Sequence, residues 1–400
     1  MRKHRFLLLI ALLSALSLIA AACGGDDDGD GDTADGGGED ISCTWSIGTM
    51  GALSGDFASL GAPIRDGIKY AIDPANEAGE VPCELSLVEE DSQGSPDQAP
   101  ALAQSLIETE DLVAVSGPYF SGETLAVGEI FSSAGVAFSG TGTNETIDEQ
   151  GYTTWFRSVA PDNIQGEVAA DYIAEALGGG TVAVIHDNQD YSKGLADSVV
   201  KNLDGAEGPF VINPEETDYS SVVQQVNAAN PDVVFYGGYT PQAGPLLAQL
   251  TQGGVDAQFL SDDGAKDPSF GELAGDSAQG AQVTCPCTDP TKQESAASFV
   301  DGMRSEYGED APGTFDMYDV TNIIIEALME LNGDEDIEEV RAHVVEYFQN
   351  AEGIEGVAKS YSWEESGEFV GGPEDIWVYE WDDAEGNFVS LGPAAELLGQ

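Results

Sequence analysis

The chain has 400 residues, enough for two lobes of ordinary domain size, and it is strongly acidic, with 73 Asp and Glu against 13 Lys and Arg and a formal net charge of −60. DNA and anionic lipid surfaces would repel such a chain, so we expect no nucleic-acid partner. The acidic surplus is consistent with a salty habitat, where counter-ions screen self-repulsion, and an ordinary acidic secreted protein is the alternative.

The first 22 residues have the organisation of an export signal. Basic residues occupy positions 2–5, and an uncharged apolar run follows over 6–22. This run has the length of a signal-peptide core and is slightly short for a membrane-spanning helix. Small residues then precede Cys23, a pattern that resembles a bacterial lipobox. We therefore expect a lipoprotein signal peptide at 1–22 and lipidation at Cys23, with a plain secretory signal as the alternative.

The next segment, 23–42, is rich in Gly and Asp, and its residues 24–40 include no apolar residue larger than Ala34, so this stretch cannot form a core. Like charges keep such a chain extended. We interpret it as a tether between the extracytoplasmic face of the cell membrane and a folded part. An acidic metal-binding tract is disfavoured because the spacing lacks the calcium-loop pattern, and we expect neither a metal site nor a cofactor.

From position 43 onward, short apolar runs alternate with amphipathic stretches of helical periodicity. Nearly continuous apolar runs are typical of parallel strands buried on both faces, so the alternation predicts an α/β fold with parallel sheets. The predicted strands are 45–51, 84–89, 112–116, 136–138, 181–186, 209–212, 233–236 and 258–260. The predicted helices between them are 62–78, 96–108, 121–134, 162–177, 191–203, 219–229 and 241–252.

The alternation pauses in the polar segment 140–154 and then restarts, which suggests a lobe boundary. The C-terminal part changes character, with helices predicted at 294–307, 315–331 and 336–349 and strands at 357–363, 376–381 and 388–391. The pattern predicts two Rossmann-like lobes joined by a multi-strand hinge. We assign 43–159 plus 287–362 to the N-terminal lobe and 160–286 plus 363–395 to the C-terminal lobe.

Four cysteines follow Cys23, and an exported protein is free to oxidise them. Cys43 and Cys83 each directly precede a predicted strand. Neighbouring parallel strands would place both cysteines at one edge of the sheet, which predicts a Cys43–Cys83 disulfide. Cys285 and Cys287 lack the CxxC spacing of zinc and redox motifs, so a local disulfide is our interpretation there, and their state stays open.

Five short motifs occur in a family's order and spacing: GALSG at 51–55 with Gly61, GPYFS at 117–121, AVIHD at 183–187 leading to Tyr191, FYGGY at 235–239 and FLSDDG at 259–264. In these motifs the sequence resembles the leucine/isoleucine/valine-binding proteins of branched-chain amino-acid ABC importers, over about 43–391. The resemblance implies a type I periplasmic-binding-protein fold. It also implies a monomer that captures an amino acid in an interlobe cleft by hinge closure and delivers it to an ABC permease complex in the membrane.

A ligand carboxylate needs hydrogen-bond donors. Ser121 opens a predicted helix, whose N-terminus presents unpaired N–H groups and about half a positive charge. The resemblance implies that Ser121 binds the carboxylate, and that the Thr141 backbone and the Thr143 hydroxyl bind both ends of the amino acid. A helix cap at Ser121 and a simple glycine turn around the threonines are the alternatives.

A ligand ammonium needs acceptors, and Asp263 follows a predicted strand at its C-terminal end. The family commonly has glutamate there, and the alternative is a solvated loop acid. The resemblance implies that Tyr191 and Tyr239 line the cleft from the second lobe, with interlobe packing as the alternative. It implies that the first lobe encloses the ligand side chain with Leu60, Tyr119, Phe120 and Phe315.

Catalysis is not expected, because the chain lacks the GxSxG, HExxH and phosphate-loop motifs. His186 and Asp187 are adjacent, but no nucleophile accompanies them in the sequence. A ligand sensor of the same fold, and a binder of a short amide or urea, remain alternatives to an importer component for leucine, isoleucine or valine.

Overall fold

The computed structural model describes residues 43–308 and 314–399. The predicted signal peptide, the lipidation site at Cys23 and the tether at 23–42 lie outside this part of the chain. Within it, every helix is too short or too polar to cross a bilayer.

The first sheet has five parallel strands in the order β2-β1-β3-β4-β5. They are β1 (Thr44–Gly51), β2 (Glu84–Asp91), β3 (Leu112–Ser116), β4 (Ala137–Gly140) and β5 (Trp155–Arg157). The connecting helices are α1 (Ala58–Ala78), α2 (Ala99–Ile107) and α3 (Ser121–Ser133). The buried faces of β3 are apolar on both sides, as parallel strands covered by helices require.

The second sheet has seven strands in the order β14-β13-β10-β9-β8-β6-β7. The strands β6 (Val182–His186), β7 (Glu207–Val211), β8 (Val233–Gly237), β9 (Gln258–Ser261) and β10 (Gln282–Cys285) are parallel. Their helices are α4 (Asp162–Asp171, continued by a π-helical turn at Tyr172–Ala176), α5 (Asp190–Asn202), α6 (Ser220–Ala229), α7 (Thr240–Gln252) and α8 (Phe270–Ala274).

The C-terminal part completes both sheets. Helix α9 (Ala297–Tyr307) packs on α1, and α10 (Thr314–Met329) and α11 (Ile337–Gln349) pack on the first sheet, followed by the short pair β11 (Ile354–Glu355) and β12 (Ser360–Tyr361). The antiparallel strands β13 (Trp377–Asp382) and β14 (Asn387–Pro393) then extend the second sheet, and α12 (Ala394–Leu397) follows. The described chain thus passes between the sheets after β5, after β10 and before β13.

The predicted α/β class is confirmed, and the differences are local. Helix α1 begins at Ala58, four residues before the predicted start at 62, with Pro63 inside its first two turns. The strand predicted at 357–363 is reduced to β12 and an isolated bridge between Trp363 and Phe369. Its partner segments are short, so the pairing cannot extend along the predicted run.

The cysteines lie where strand register brings them. Strands β1 and β2 pair with Thr44 opposite Glu84, so the preceding residues Cys43 and Cys83 are neighbours, with Cα atoms 4.8 Å apart, and form a disulfide. Cys285 and Cys287 also form a disulfide, at the end of β10 where the chain leaves the second sheet.

Candidate ligand-binding site

A cavity of about 660 Å³ lies between the two sheets, and its walls follow the carboxyl ends of β3, β4, β6, β8 and β9. Ligands of open α/β sheets bind outside the carboxyl ends of the strands. The cavity wall contains nine of the predicted ligand-binding residues: Leu60, Tyr119, Phe120, Ser121, Thr141, Thr143, Tyr191, Tyr239 and Asp263.

Phe315, the remaining predicted residue, does not line the cavity. It is fully buried and packs with Phe299 and Met303, while the next residue, Asp316, reaches the cavity wall. Because consecutive helical residues point about 100° apart, the register of α10 turns Phe315 away from the cleft. Asp316 forms an ion pair with Lys359 at 2.5 Å, an arrangement that the sequence analysis missed.

Ser121 presents a donor at one end of the cavity. It is the first residue of α3, and Phe120 before it is extended, with φ −115° and ψ 152°. The Ser121 Oγ accepts hydrogen bonds from the backbone N–H groups of Thr143 and Asn144, both at 3.1 Å. With both lone pairs used, the hydroxyl proton is left to donate. Together with the first-turn N–H groups of α3, this hydroxyl suits a carboxylate.

The loop that carries Thr141 and Thr143 is held by Arg157, which the sequence analysis also missed. The Arg157 guanidinium is fully buried, donates to the carbonyl oxygens of Gly142 and Asn144, and pairs with Glu368 at 2.7 Å. The sequence signal that could have indicated this role is an arginine at the end of the otherwise apolar strand β5. The pair anchors the loop to the segment that follows β12.

Thr143 lies beside a second buried acid, Asp162. The Asp162 N–H donates to the Thr143 carbonyl oxygen at 2.8 Å, and the Thr143 hydroxyl approaches the carboxyl group without full hydrogen-bond geometry. Neither Asp162 carboxyl oxygen has a hydrogen-bond partner among the described residues. Burial raises the pKa of Asp162 well above its usual value, and the nearby Asp263 adds to this effect.

Asp263 presents an acceptor at the other end of the cavity. It begins a 3₁₀ turn (Asp263–Ala265) after β9, and its Oδ1 accepts from Gln165 Nε2 and from the Tyr191 hydroxyl, each at 2.8 Å. Its Oδ2 accepts no hydrogen bond from another described residue and is open to a ligand ammonium. Burial raises the pKa of Asp263, while the bonds from Gln165 and Tyr191 oppose the rise.

Asp262, next to Asp263, has a structural role and does not line the cavity. It is fully buried, and its Oδ2 accepts from the Gly238 N–H at 2.8 Å. Gly238 has φ +150°, a backbone conformation that favours glycine, and it directly precedes Tyr239. Asp262 therefore fixes the turn that presents Tyr239 and leaves the cavity wall to Asp263.

Aromatic rings connect the two sides of the cleft. The Tyr239 ring centroid lies 5.0 Å from Tyr191 on its own side, and 5.0 Å from Phe120 and 5.2 Å from Phe57 on the opposite side. Such offset and edge contacts stabilise aromatic pairs beyond simple burial. The rings thus hold the two walls together over the cavity.

The first-sheet wall is built around Tyr119. Its ring is buried, and its hydroxyl hydrogen-bonds with Thr49 Oγ1 at 2.7 Å. A Cβ at Gly51 would overlap this ring, so glycine is required there for close approach. Leu60, half-buried on α1, completes the apolar part of this wall.

An α/β fold with two main sheets and a cleft at their strand ends is typical of one class, the bilobed binding proteins. A family model described as "Periplasmic binding protein" matches residues 44–386, and the chain belongs to this family. The resemblance drawn from the five motifs and the predicted type I fold are thereby confirmed.

Sequence relatives agree with this membership, and a solved structure shares the fold. The chain is 31% identical over 346 residues to an amino acid binding protein of Pseudomonas aeruginosa, covering 84% of this chain and 90% of that protein. It is 30% identical over 342 residues to a Leu/Ile/Val-binding protein of Citrobacter freundii, with the same coverage. The structure is similar to the branched-chain amino acid transporter substrate binding protein of Streptococcus pneumoniae in complex with isoleucine, with a TM-score of 0.76, 22% identity and coverage of 87% and 99%.

Proposed function

We propose that this protein binds a free α-amino acid between its two sheets and delivers it to an ABC importer. The observation that carries the proposal is the pairing of a donor end at Ser121 with an acceptor end at Asp263 in one cavity. A zwitterionic amino acid needs a donor for its carboxylate and an acceptor for its ammonium in the same cavity. Leucine, isoleucine and valine are the leading ligands, because the named relatives include Leu/Ile/Val-binding proteins.

The energy scale is adequate for capture. A micromolar Kd corresponds to about −8 kcal/mol. Two charge-assisted ends contribute roughly 2 kcal/mol each, and burying an aliphatic side chain adds about 2 kcal/mol. Backbone contacts from the Thr141–Thr143 loop and the aromatic rings supply the remainder, so binding needs no chemical step and the protein is proposed to be a carrier without catalysis.

Ligand binding is proposed to favour the closed arrangement of two lobes, 43–159 plus 287–362 and 160–286 plus 363–395. The three crossings between the sheets support this hinge, and the ligand would bridge Ser121 on one side and Asp263 on the other. The membrane permease would recognise the closed monomer. Lipidation at Cys23 and the acidic tether would keep it at the extracytoplasmic membrane face.

A thermal-shift screen of purified protein against the common amino acids, followed by isothermal titration of the hits, tests the proposal. Ligand at about 100 times its Kd stabilises the folded state by about 2.7 kcal/mol, a measurable shift in Tm. Ser121→Ala should weaken binding by about tenfold or more, as loss of a hydrogen bond to a charged group predicts. The matched control is Ser133→Ala, at the exposed far end of α3. No binding of any amino acid would contradict the proposal.

A further inference from the structure

The cavity extends beyond the two ends that would hold an α-amino acid. Its volume is about 660 Å³, and its wall includes residues beyond those proposed to hold the α-carboxylate and α-ammonium. The additional wall is mixed, and among its polar and charged residues are Lys266, Asp267, Ser269 and Asp316, beside the Cys285–Cys287 segment. The side chain of the ligand would point into this region.

Lys266 lies close to the proposed ammonium site. Its backbone N–H donates to the Asp263 carbonyl oxygen at 3.0 Å, which closes the 3₁₀ turn after β9. Side chains three residues apart on such a turn lie one above the other, at about the 5–6 Å separation of helical neighbours.

The N–H groups of the Lys266 ammonium remain available as hydrogen-bond donors. In residues 43–308 and 314–399 it forms no ion pair or hydrogen bond through Nζ, and its recorded contact is with the Tyr379 ring, 4.2 Å from the centroid. Tyr379 is itself fixed by a 2.8 Å hydrogen bond to the Cys287 carbonyl oxygen. A cation held over a ring in this way stays oriented while its N–H donors remain unused.

Each acid near Lys266 already accepts a hydrogen bond or an ion pair from another group. Asp316 pairs with Lys359, and Asp289 accepts from the Thr291 N–H at 2.9 Å. Asp263 accepts from Gln165 and Tyr191. Burial lowers the pKa of Lys266 to about 7, while the charges of Asp289, Asp263 and Asp316 oppose that shift. A half-buried lysine ammonium without a direct acceptor in the described protein would gain from one that a ligand brings.

We propose that the ligand is an amino acid whose side chain ends in a carbonyl oxygen, amide or carboxylate, and that Lys266 Nζ donates a hydrogen bond to this oxygen. The inference rests on the proposed function, because Ser121 and Asp263 must first fix the α-carboxylate and α-ammonium. A branched aliphatic side chain would leave the lysine without an acceptor and part of the cavity unfilled. Glutamine and glutamate carry the amide and the carboxylate form of this oxygen.

The test is isothermal titration of the purified protein with glutamine, glutamate, methionine and leucine. Methionine is the apolar ligand of similar length to glutamine. We expect glutamine, glutamate or both to bind at least about tenfold more tightly than methionine, the scale of one hydrogen bond to a charged group. Preference for glutamine alone would identify the amide, and preference for glutamate alone would identify the carboxylate.

Lys266→Met should remove this preference. The variant should lose about tenfold or more in affinity for the carbonyl ligands, with methionine and leucine binding unchanged or tighter. Lys201→Met, an exposed lysine in the last turn of α5, is the control and should change nothing. The Tm of each variant establishes that it is folded.

Two results would overturn the inference and leave the proposed function intact: leucine or methionine binding most tightly to the native protein, or an equal loss for all four ligands in Lys266→Met. In both cases Ser121→Ala would still weaken binding. Absence of binding by all amino acids would instead overturn the proposed function and the inference with it.

Discussion

The Tyr191 hydroxyl donates a hydrogen bond to Asp263 Oδ1 at 2.8 Å and also accepts one from the Gly264 N–H at 3.2 Å. One phenol thus ties α5 to the 3₁₀ turn that carries the acid. The bond stabilises the ionised carboxylate and leaves Oδ2 for the ligand.

Tyr191→Phe should therefore weaken amino-acid binding by roughly three- to tenfold, less than the loss of a hydrogen bond made directly to a charged ligand group, because the hydroxyl acts through Asp263. The ring and its packing on Tyr239 remain, so the loss reports the hydroxyl alone. Isothermal titration measures it, and Tyr152→Phe, whose hydroxyl bonds to the Leu125 carbonyl oxygen outside the cavity wall, is the matched control. Equal affinity in Tyr191→Phe and the native protein would show that the hydroxyl does not support the acid.

Binding should depend on pH through Asp263. Its pKa is raised by burial, and it must be ionised to accept an ammonium, so affinity should fall on acidification at a pH above the usual aspartate range near 4. Asp162 and Asp262 also face this region with raised pKa values, and protonation of each reduces the negative charge there. Titrations between about pH 7.5 and 4.5 test this dependence.

The control for that experiment is Asp263→Asn, which should bind weakly and with a flatter pH profile. Asp256→Asn, an exposed acid before β9, should keep the native profile. Constant affinity of the native protein down to the usual aspartate pKa would contradict a role for an acid with a raised pKa.

Stability should carry a separate pH signature from Glu123. This residue is fully buried on α3, where burial raises its pKa to about 7 from 4.5 and a hydrogen bond from Ser92 opposes the shift. Because the folded state binds the proton more tightly, the contribution of Glu123 is greatest below the unfolded pKa and is lost as pH rises through about 7. At about 1.4 kcal/mol per unit, the full effect is on the order of 3 kcal/mol.

Glu123→Gln should therefore flatten the rise in Tm that accompanies acidification from about pH 8 to 5.5. Relief of repulsion among the many surface acids gives a rise of the same sign, so the quantity to compare is the difference between the native and variant slopes. Glu129→Gln, on the partly exposed face of the same helix, supplies the reference. Identical slopes for Glu123→Gln and Glu129→Gln would contradict the prediction.

The Arg157–Glu368 pair should matter for both stability and binding. Glu368→Ala leaves a fully buried guanidinium without its counter-ion, which costs about 3 kcal/mol or more. It also loosens the loop of Thr141 and Thr143, so affinity should fall. Urea denaturation and titration measure the two effects, and Glu365→Ala, an exposed neighbour, should change neither. A native-like denaturation midpoint in Glu368→Ala would contradict the role assigned to the pair.

Local signals account for what the sequence predicts well. Apolar runs and helix-opening residues predict the strands and the start of α3, which place Ser121 and Asp263 after strand ends, and the resemblance adds Thr141 and Tyr191. All four residues line the same cavity. Long-range partners carry no local signal. The pairing of Arg157 with Glu368 joins residues that are 211 apart in sequence.

The same reason explains Phe315 and Lys266. The inward face of α10 depends on how the C-terminal helices return to the first sheet, and one residue of register decides between Phe315 and Asp316. From the sequence alone, Lys266 is indistinguishable from a solvated loop lysine. The Tyr379 ring comes to lie beneath its ammonium only in the folded chain.

The central claim is that the ligand ammonium binds to Asp263 while its carboxylate binds at Ser121. The most direct test compares the best-binding amino acid with its analogue lacking the α-amino group, each titrated into the native protein and Asp263→Asn. We expect the substitution to weaken binding of the amino acid by about tenfold or more and to leave the weaker binding of the analogue unchanged. An equal loss for both ligands would contradict the claim.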